Sequence, residues 1–262
     1  MTERPFSLVP KPGSRIVFAG GAGGIGRACV SACQELDLVP IVMDLALSIE
    51  NASELDAVES IAFDGRSDTS IQAAIESVAK LSSEIDGFVF LSGFPILPRR
   101  PLDQVSTDQW DELMAVNLRS AYLLATGLLP LLLRSEKPAI VMVASSLAYQ
   151  VMPGMAAYAT SKGGLVSLTK AIAMENAPRL RANVVAPGAV ETSFLSGGIS
   201  REKVSDDRTW FDRISDNYVA SIPLQRVALP TDIVGPIMFL LGDASSYMTG
   251  QVLHLNGGRL TP

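Results

Sequence analysis

The feature that most constrains this chain is a change of rhythm near its start. A short apolar run at residues 16–19 meets the turn Gly20-Gly21-Ala22-Gly23-Gly24-Ile25-Gly26, and a helical pattern follows over residues 27–36. The run is too short for a helix and reads as a buried strand. Strand, glycine turn and helix in succession leave free backbone N–H groups at a helix start, where the dipole is positive. Residues without a β-carbon let another group approach that backbone closely. The turn is therefore either a flexible connection or a cradle for a pyrophosphate, and the residues beyond it decide between the two.

The rhythm repeats along the chain. Residues 39–43 form a second apolar run that ends at Asp44, eighteen residues beyond Gly26. An acid at that place can accept hydrogen bonds from an adenosine ribose, or it can cap the next helix. A strand at 60–63 ends at Asp64-Gly65. A helix over 68–81 carries the stripe Ile71, Ile75, Val78 and Leu81. A strand at 87–91 ends at Ser92-Gly93, and a Pro-rich loop over 94–105 leads to a long helix from Ser106 or Thr107 to about Leu133. Asn117 sits inside that helix, in an apolar segment, and a mediocre helix former there needs a partner or a function. A strand at 139–144, a helix at 157–177 and a strand at 181–186 follow. Then come Pro187-Gly188-Ala189-Val190-Glu191-Thr192, an irregular polar stretch over 193–222, a helix at 231–241 and a strand at 251–255.

Strands alternating with helices predict right-handed crossovers and a parallel sheet covered on both faces. The expected fold class is α/β, a doubly wound parallel sheet of the Rossmann type. At 262 residues with 48% hydrophobic content, one domain spanning 1–262 is the economical reading. The net charge is −6, and the basic residues cluster only as pairs such as Arg99-Arg100, which argues against a nucleic-acid surface. The longest apolar run, 121–133, contains Gly127 and Pro130 and is too short to span a bilayer. The first residues lack the apolar core of a signal peptide. Cys29 and Cys33 share one helix face, where buried packing is expected rather than a disulfide or a metal site. A cytoplasmic protein without a metal is the expectation.

The stretch SSLAYQVMPGMAAYATSK from Ser145 to Lys162 carries the chemistry. Tyr158 and Lys162 are four apart on one helix face. Ser145 stands at a strand end, thirteen residues before Tyr158. A hydroxyl, a phenol and an ammonium brought together suit proton transfer to or from an alcohol or carbonyl oxygen. A free phenol loses its proton only near pH 10, and a neighbouring ammonium is expected to lower that value. Phe94, Leu97, Tyr149, Met152, Met155, Phe194, Trp210 and Phe211 are expected around a largely apolar substrate pocket, with 193–222 as a lid.

Laid out in this order, the residues resemble a classical short-chain dehydrogenase/reductase over nearly the whole chain, from about residue 15 to 258. Gly20, Gly24 and Gly26, with Ile25 between, are similar to that family's glycine motif, and Asn117, Ser145, Tyr158 and Lys162 to its catalytic tetrad. The resemblance implies an NAD cofactor. Asp64 and Gly65 would lie on its adenine side. Phe90, Ser92 and Gly93 would border it, with backbone contacts at 90–91. Asn183, Pro187, Gly188, Val190 and Thr192 would belong to the segment that holds the nicotinamide half. It implies Tyr158 as general acid/base, Lys162 on the nicotinamide ribose, Ser145 orienting the substrate oxygen and Asn117 holding a relay water. It also implies a homotetramer, with a dimer next, through the C-terminal strands and the helices near 106–133 and 157–177. Their side chains Leu123, Leu124, Leu128, Leu165 and Leu168 make those helices apolar on more than one face.

The sequence departs from the pattern at three places. Ala19 stands for the usual Thr, Phe90-Leu91-Ser92-Gly93 for Asn-Asn-Ala-Gly, and Asn256 where Asp is commoner. The reading is an NAD-dependent oxidoreductase acting on a secondary alcohol or ketone. The alternatives are a non-catalytic nucleotide-binding protein, favoured only by the altered 90–93 segment, and an isomerase or dehydratase on the same fold.

Overall fold

The computed structural model describes residues 7–196 and 216–261. The strands are β1 (Arg15–Ala19), β2 (Val39–Asp44), β3 (Glu59–Ala62), β4 (Gly87–Phe90), β5 (Ala139–Val143), β6 (Arg181–Pro187) and β7 (Val252–Leu255). They form one sheet in the order β3-β2-β1-β4-β5-β6-β7, and every neighbouring pair runs parallel. The strand order reverses between β1 and β4, so a crevice opens there at the carboxyl ends of the strands.

Side chains alternate across each strand. Val17 and Ala19 join a core with Phe88, Phe90 and Met142 on one face. Ile16 and Phe18 join a second core with Val89, Val141 and Val185 on the other. The first face is covered by α3 (Asp68–Leu81), α5 (Ser120–Leu132) and α6 (Ala156–Asn176), the second by α1 (Gly24–Glu35) and the helix Pro230–Leu241. Ile71, Ile75 and Val78 of the α3 stripe are buried, but Leu81 at the helix end is exposed. Cys29 and Cys33 are free, fully buried thiols packed under the sheet, and burial pushes both thiols up.

The long helix expected from 106 to 133 runs over Thr107–Leu132, but its hydrogen-bond pattern changes once along the way. Ser106 caps α4 (Thr107–Met114) through a reciprocal bond with Gln109. A π-helical turn, Ala115–Arg119, then widens the backbone before α5 begins. Asn117 lies in the middle of that turn, and such turns commonly mark functional positions. By length and composition Thr107–Leu132 would pass for a membrane span, yet Leu124, Leu128 and Leu132 are fully buried in the core. Leu165 is buried as well, whereas Leu123 and Leu168 are only partly covered.

Asn183 also has a different role from the one its motif implies. It lies within β6, donates from Nδ2 to Met248 O at 2.9 Å and accepts from Gln251 N at 3.0 Å. It locks the turn before β7 to β6 and does not line the cleft. We expect Asn183→Ala to lower stability by about 2–3 kcal/mol in urea unfolding, because two bonds are lost and their partners are left unpaired. A loss below about 0.5 kcal/mol would contradict that role.

Candidate active site

The crevice is a cleft of about 860 Å³. Its floor is the glycine turn. Gly20 has φ +87°, and a β-carbon on it would stand 2.6 Å from Ser92 N. A β-carbon on Gly26 would stand 2.5 Å from Gly20 O. Neither position admits another residue without moving backbone, so the start of α1 is held close against the end of β1. At the tip of β2, Asp44 Oδ1 accepts from Leu45 N at 2.8 Å and Oδ2 from Ala22 N at 2.9 Å. Burial pushes its carboxyl up, and the bonds from Leu45, Ala22 and Ser48 oppose that. The carboxylate thus fixes the glycine turn while still lining the cleft. Ser48, Leu45 and Phe63 also line this end; no motif in the sequence marks them.

Asp64 and Gly65 lie in the same wall. The Arg66 guanidinium grips Asp64 at 2.6 Å and holds its carboxyl below the usual range. At β4, Leu91, Ser92 and Gly93 line the cleft, while Phe90 is fully buried in the core and does not. The N–H groups of Leu91 and Ser92 both donate to Ala19 O, at 2.7 and 3.1 Å. These backbone bonds join β1 to β4 where the sequence lacks the family's side-chain amides.

The four polar residues singled out in the sequence come together, Asn117 and Lys162 at Gly93 and Tyr158 in a hydrogen bond with Ser145. Asn117 is fully buried. Its Oδ1 accepts from Phe94 N at 2.9 Å, and Nδ2 donates to Phe94 O at 3.0 Å and Ser161 Oγ at 3.2 Å. A β-carbon on Gly93 would stand 3.1 Å from Asn117 Oδ1 and 3.3 Å from Lys162 Nζ. Lys162, also buried, donates to Val143 O at 3.1 Å, and burial pushes its ammonium down to about 8. Tyr158 is buried one helical turn before it. Burial drives the phenol up, opposed by a hydrogen bond with Ser145. The expected lowering by Lys162 is therefore not realised without ligand. Nζ lies 5.8 Å from the ring centroid, and desolvation outweighs its attraction.

Comparison with known proteins now bears on the site. A family model described as enoyl-(acyl carrier protein) reductase matches residues 20–259. The chain is 30% identical to a 3-oxoacyl-[acyl-carrier-protein] reductase of Thermotoga maritima, covering 94% of this chain and 97% of the relative. This chain is a classical short-chain dehydrogenase/reductase. A structure assigned as an NAD(P)-dependent gluconate 5-dehydrogenase from Beutenbergia cavernae, with bound NADP, superposes with a TM-score of 0.85 at 30% identity, over 97% of this chain and 99% of that one. A 3-ketoacyl-(acyl-carrier-protein) reductase from Brucella melitensis complexed with NADH gives 0.80 at 25% identity, over 97% and 99%.

The remaining walls of this short-chain dehydrogenase/reductase follow β6. Pro187, Gly188, Val190 and Thr192 line the cleft, with Val190 held by a bridge to Ala228. Phe94, Leu97, Met152, Met155 and Phe194 form an apolar end beside Tyr158, and the Phe194 ring lies 5.8 Å from the Tyr158 ring. Tyr149 instead meets His254 edge-on at 4.6 Å and is absent from the cleft wall. Most of the expected lid, including Trp210 and Phe211, lies outside the described residues. Its described ends place Phe194 and Tyr218 in the wall. Among the described residues no group of three or more His, Cys, Asp or Glu is placed to hold a metal. The glycine floor, which β-carbons would fill, and the acid at the β2 tip fit a nicotinamide dinucleotide.

The burial of Lys162 has a consequence for stability. The folded chain releases this proton near pH 8 and the unfolded chain near 10.5. Below pH 8 the buried ammonium therefore destabilises the ligand-free fold, and the penalty is relieved as pH rises from about 8 to 10.5. The shift corresponds to about 3 kcal/mol, of which the lost bond to Val143 O would offset about 1. We expect Lys162→Met to gain about 2 kcal/mol at pH 7 in urea unfolding, with the gain shrinking toward zero by pH 10. An equal gain at both pH values would contradict this.

Proposed function

We propose that this enzyme transfers a hydride between NAD and a secondary alcohol or ketone, with Tyr158 moving the accompanying proton. The observation that carries this reading is the meeting of Ser145, Tyr158, Lys162 and the Asn117 clamp at Gly93, in the same cleft as the glycine floor. A nucleotide-binding scaffold has no need for that set.

The glycine turn and the start of α1 would hold the pyrophosphate, Asp44 the adenosine ribose, and Asp64 and Gly65 the adenine side. Val190 and Thr192 would hold the carboxamide. NAD supplies the hydride acceptor or donor and, when oxidised, a positive charge. Ser145 orients the substrate oxygen. Tyr158 gives that oxygen a proton in reduction and takes it back in oxidation. A cation beside the phenol favours its deprotonation, so the high value set by burial falls when the site is charged. Lys162 contributes to that fall from its anchor on Val143 O. Asn117 acts as a positioning residue that holds the Phe94 backbone against α6. The apolar walls exclude water from the reacting oxygen.

The choice of NAD over NADP rests on Asp44. Its carboxylate can accept from both ribose hydroxyls, and a phosphate in place of one would lose a charge-assisted bond of about 1.5–3 kcal/mol. Leu45, Ala46 and Leu47 offer no compensating cation. Arg27, the nearest one on α1, pairs with Glu54 at 3.2 Å, and Arg66 pairs with Asp64. The expected preference for NAD is about ten- to hundredfold in kcat/KM, and Asp44→Ala should narrow it. Following reduced-cofactor absorbance across an alcohol and ketone panel, with each cofactor in turn, tests both points. No change with any substrate would count against hydride transfer, and a ratio near one or favouring NADP against the role of Asp44.

A further inference from the structure

The cleft is not symmetric in charge. Its acids, Asp44, Asp64 and Glu112, all belong to the β2–β3 end, where Arg66 pairs with Asp64 at 2.6 Å and Glu112 at 3.6 Å. Apart from Lys162, the charged side chains in the remaining wall are Arg99 and Arg259. Among the described residues neither has an acidic partner. The third arginine of the cleft wall, Arg66, is paired with acids.

The Arg259 guanidinium is held in place by other means. Arg259 donates from Nε to Ser221 Oγ at 2.9 Å and lies over the Tyr218 ring at 4.6 Å. This fixes the plane of the guanidinium, and its Nη groups donate no hydrogen bond among the described residues. Arg99 sits in the loop after β4. A β-carbon on Gly154 would stand 3.0 Å from Arg99 Cβ, so this loop packs directly on the segment that leads Met155 and Tyr158 into α6. Arg99 is exposed, and Leu97, Met152, Met155 and Phe194 give the same cleft an apolar lining. A guanidinium beside apolar surface attracts an anion more strongly than one in open water, and its planar fork suits an oxyanion.

We propose that the substrate carries an oxyanion, such as a carboxylate, set apart from the reacting carbonyl by an apolar stem, and that Arg99 and Arg259 bind that anion. This rests on the oxidoreductase reading above and specifies the substrate class for the same site. The carbonyl would meet Ser145 and Tyr158, the stem the wall of Met152, Met155 and Phe194, and the anion the two guanidiniums.

The test uses the full chain with NADH and matched ketones: a keto acid, its neutral methyl ester, and the corresponding keto sulfonate and keto phosphate. The keto acid should exceed its ester in kcat/KM by at least about tenfold, the scale of one charge-assisted bond. That ratio should fall as ionic strength rises. It should drop to within about threefold in Arg99→Ala and in Arg259→Gln. The ranking of the three anions identifies which oxyanion the pair accepts. Turnover of the ester equal to or faster than that of every anionic member would overturn the proposal and leave hydride transfer standing. An anion preference unchanged in both variants would overturn the assignment to these arginines. No cofactor oxidation with any ketone would overturn the oxidoreductase reading, and the proposal with it.

Discussion

Among the buried polar side chains of the described residues, Asn117 and Lys162 carry the largest polar groups at the cleft and lie almost fully out of water. An unpaired amide or ammonium there would be strongly destabilising, so each must find a partner inside the protein. The partners they find determine the site. Asn117 takes both backbone polar groups of Phe94 and the Ser161 hydroxyl. Lys162 takes Val143 O at the end of β5. The loop after β4, the end of β5 and the helix α6 are thereby tied together around Gly93. Asn117 reaches that loop from the π-helical turn between α4 and α5.

This arrangement also sets the electrostatics. Burial acts in opposite senses on the two groups to which proton transfer is assigned in the proposed mechanism, keeping the phenol of Tyr158 neutral and weakening the ammonium of Lys162. A positive charge placed beside the phenol would favour giving up its proton. At the other end of the cleft the constraint is steric rather than electrostatic. The glycine turn can close on the ends of β1 and β4 because no β-carbon stands between Gly20 and Ser92. Asp44 then fastens the turn through Ala22 N.

The parallel doubly wound sheet was legible from the alternation of short apolar runs and helical stretches, since buried strands and amphipathic helices differ in period. That Ser145, Tyr158, Lys162, the glycine turn and the acid at the tip of β2 share one cleft was legible from residue type and spacing. Features that depend on a partner distant in sequence were not. Nothing in the string MAVNLRS announces a widened helical turn, or that the Asn117 carboxamide within it bonds the backbone of Phe94, 23 residues away. Asn183 sits among cofactor-segment residues by motif, yet its bonds run to residues 248 and 251. Phe90 differs from Leu91 in environment only through the pleat of β4, which turns one into the core and the next into the cleft. The balance of charges on Tyr158 could not be judged from a neighbouring lysine alone, because desolvation is a property of the folded site.

The central claim is that the buried phenol of Tyr158 transfers the proton while the rest of the site holds and orients. Comparing wild-type enzyme with Tyr158→Phe in single-turnover experiments, alongside NADH affinity by fluorescence titration, tests it most directly. The account predicts an unchanged fold, NADH affinity within about threefold, and a rate of hydride transfer lower by about a hundredfold or more. Near-native turnover in the variant would contradict it.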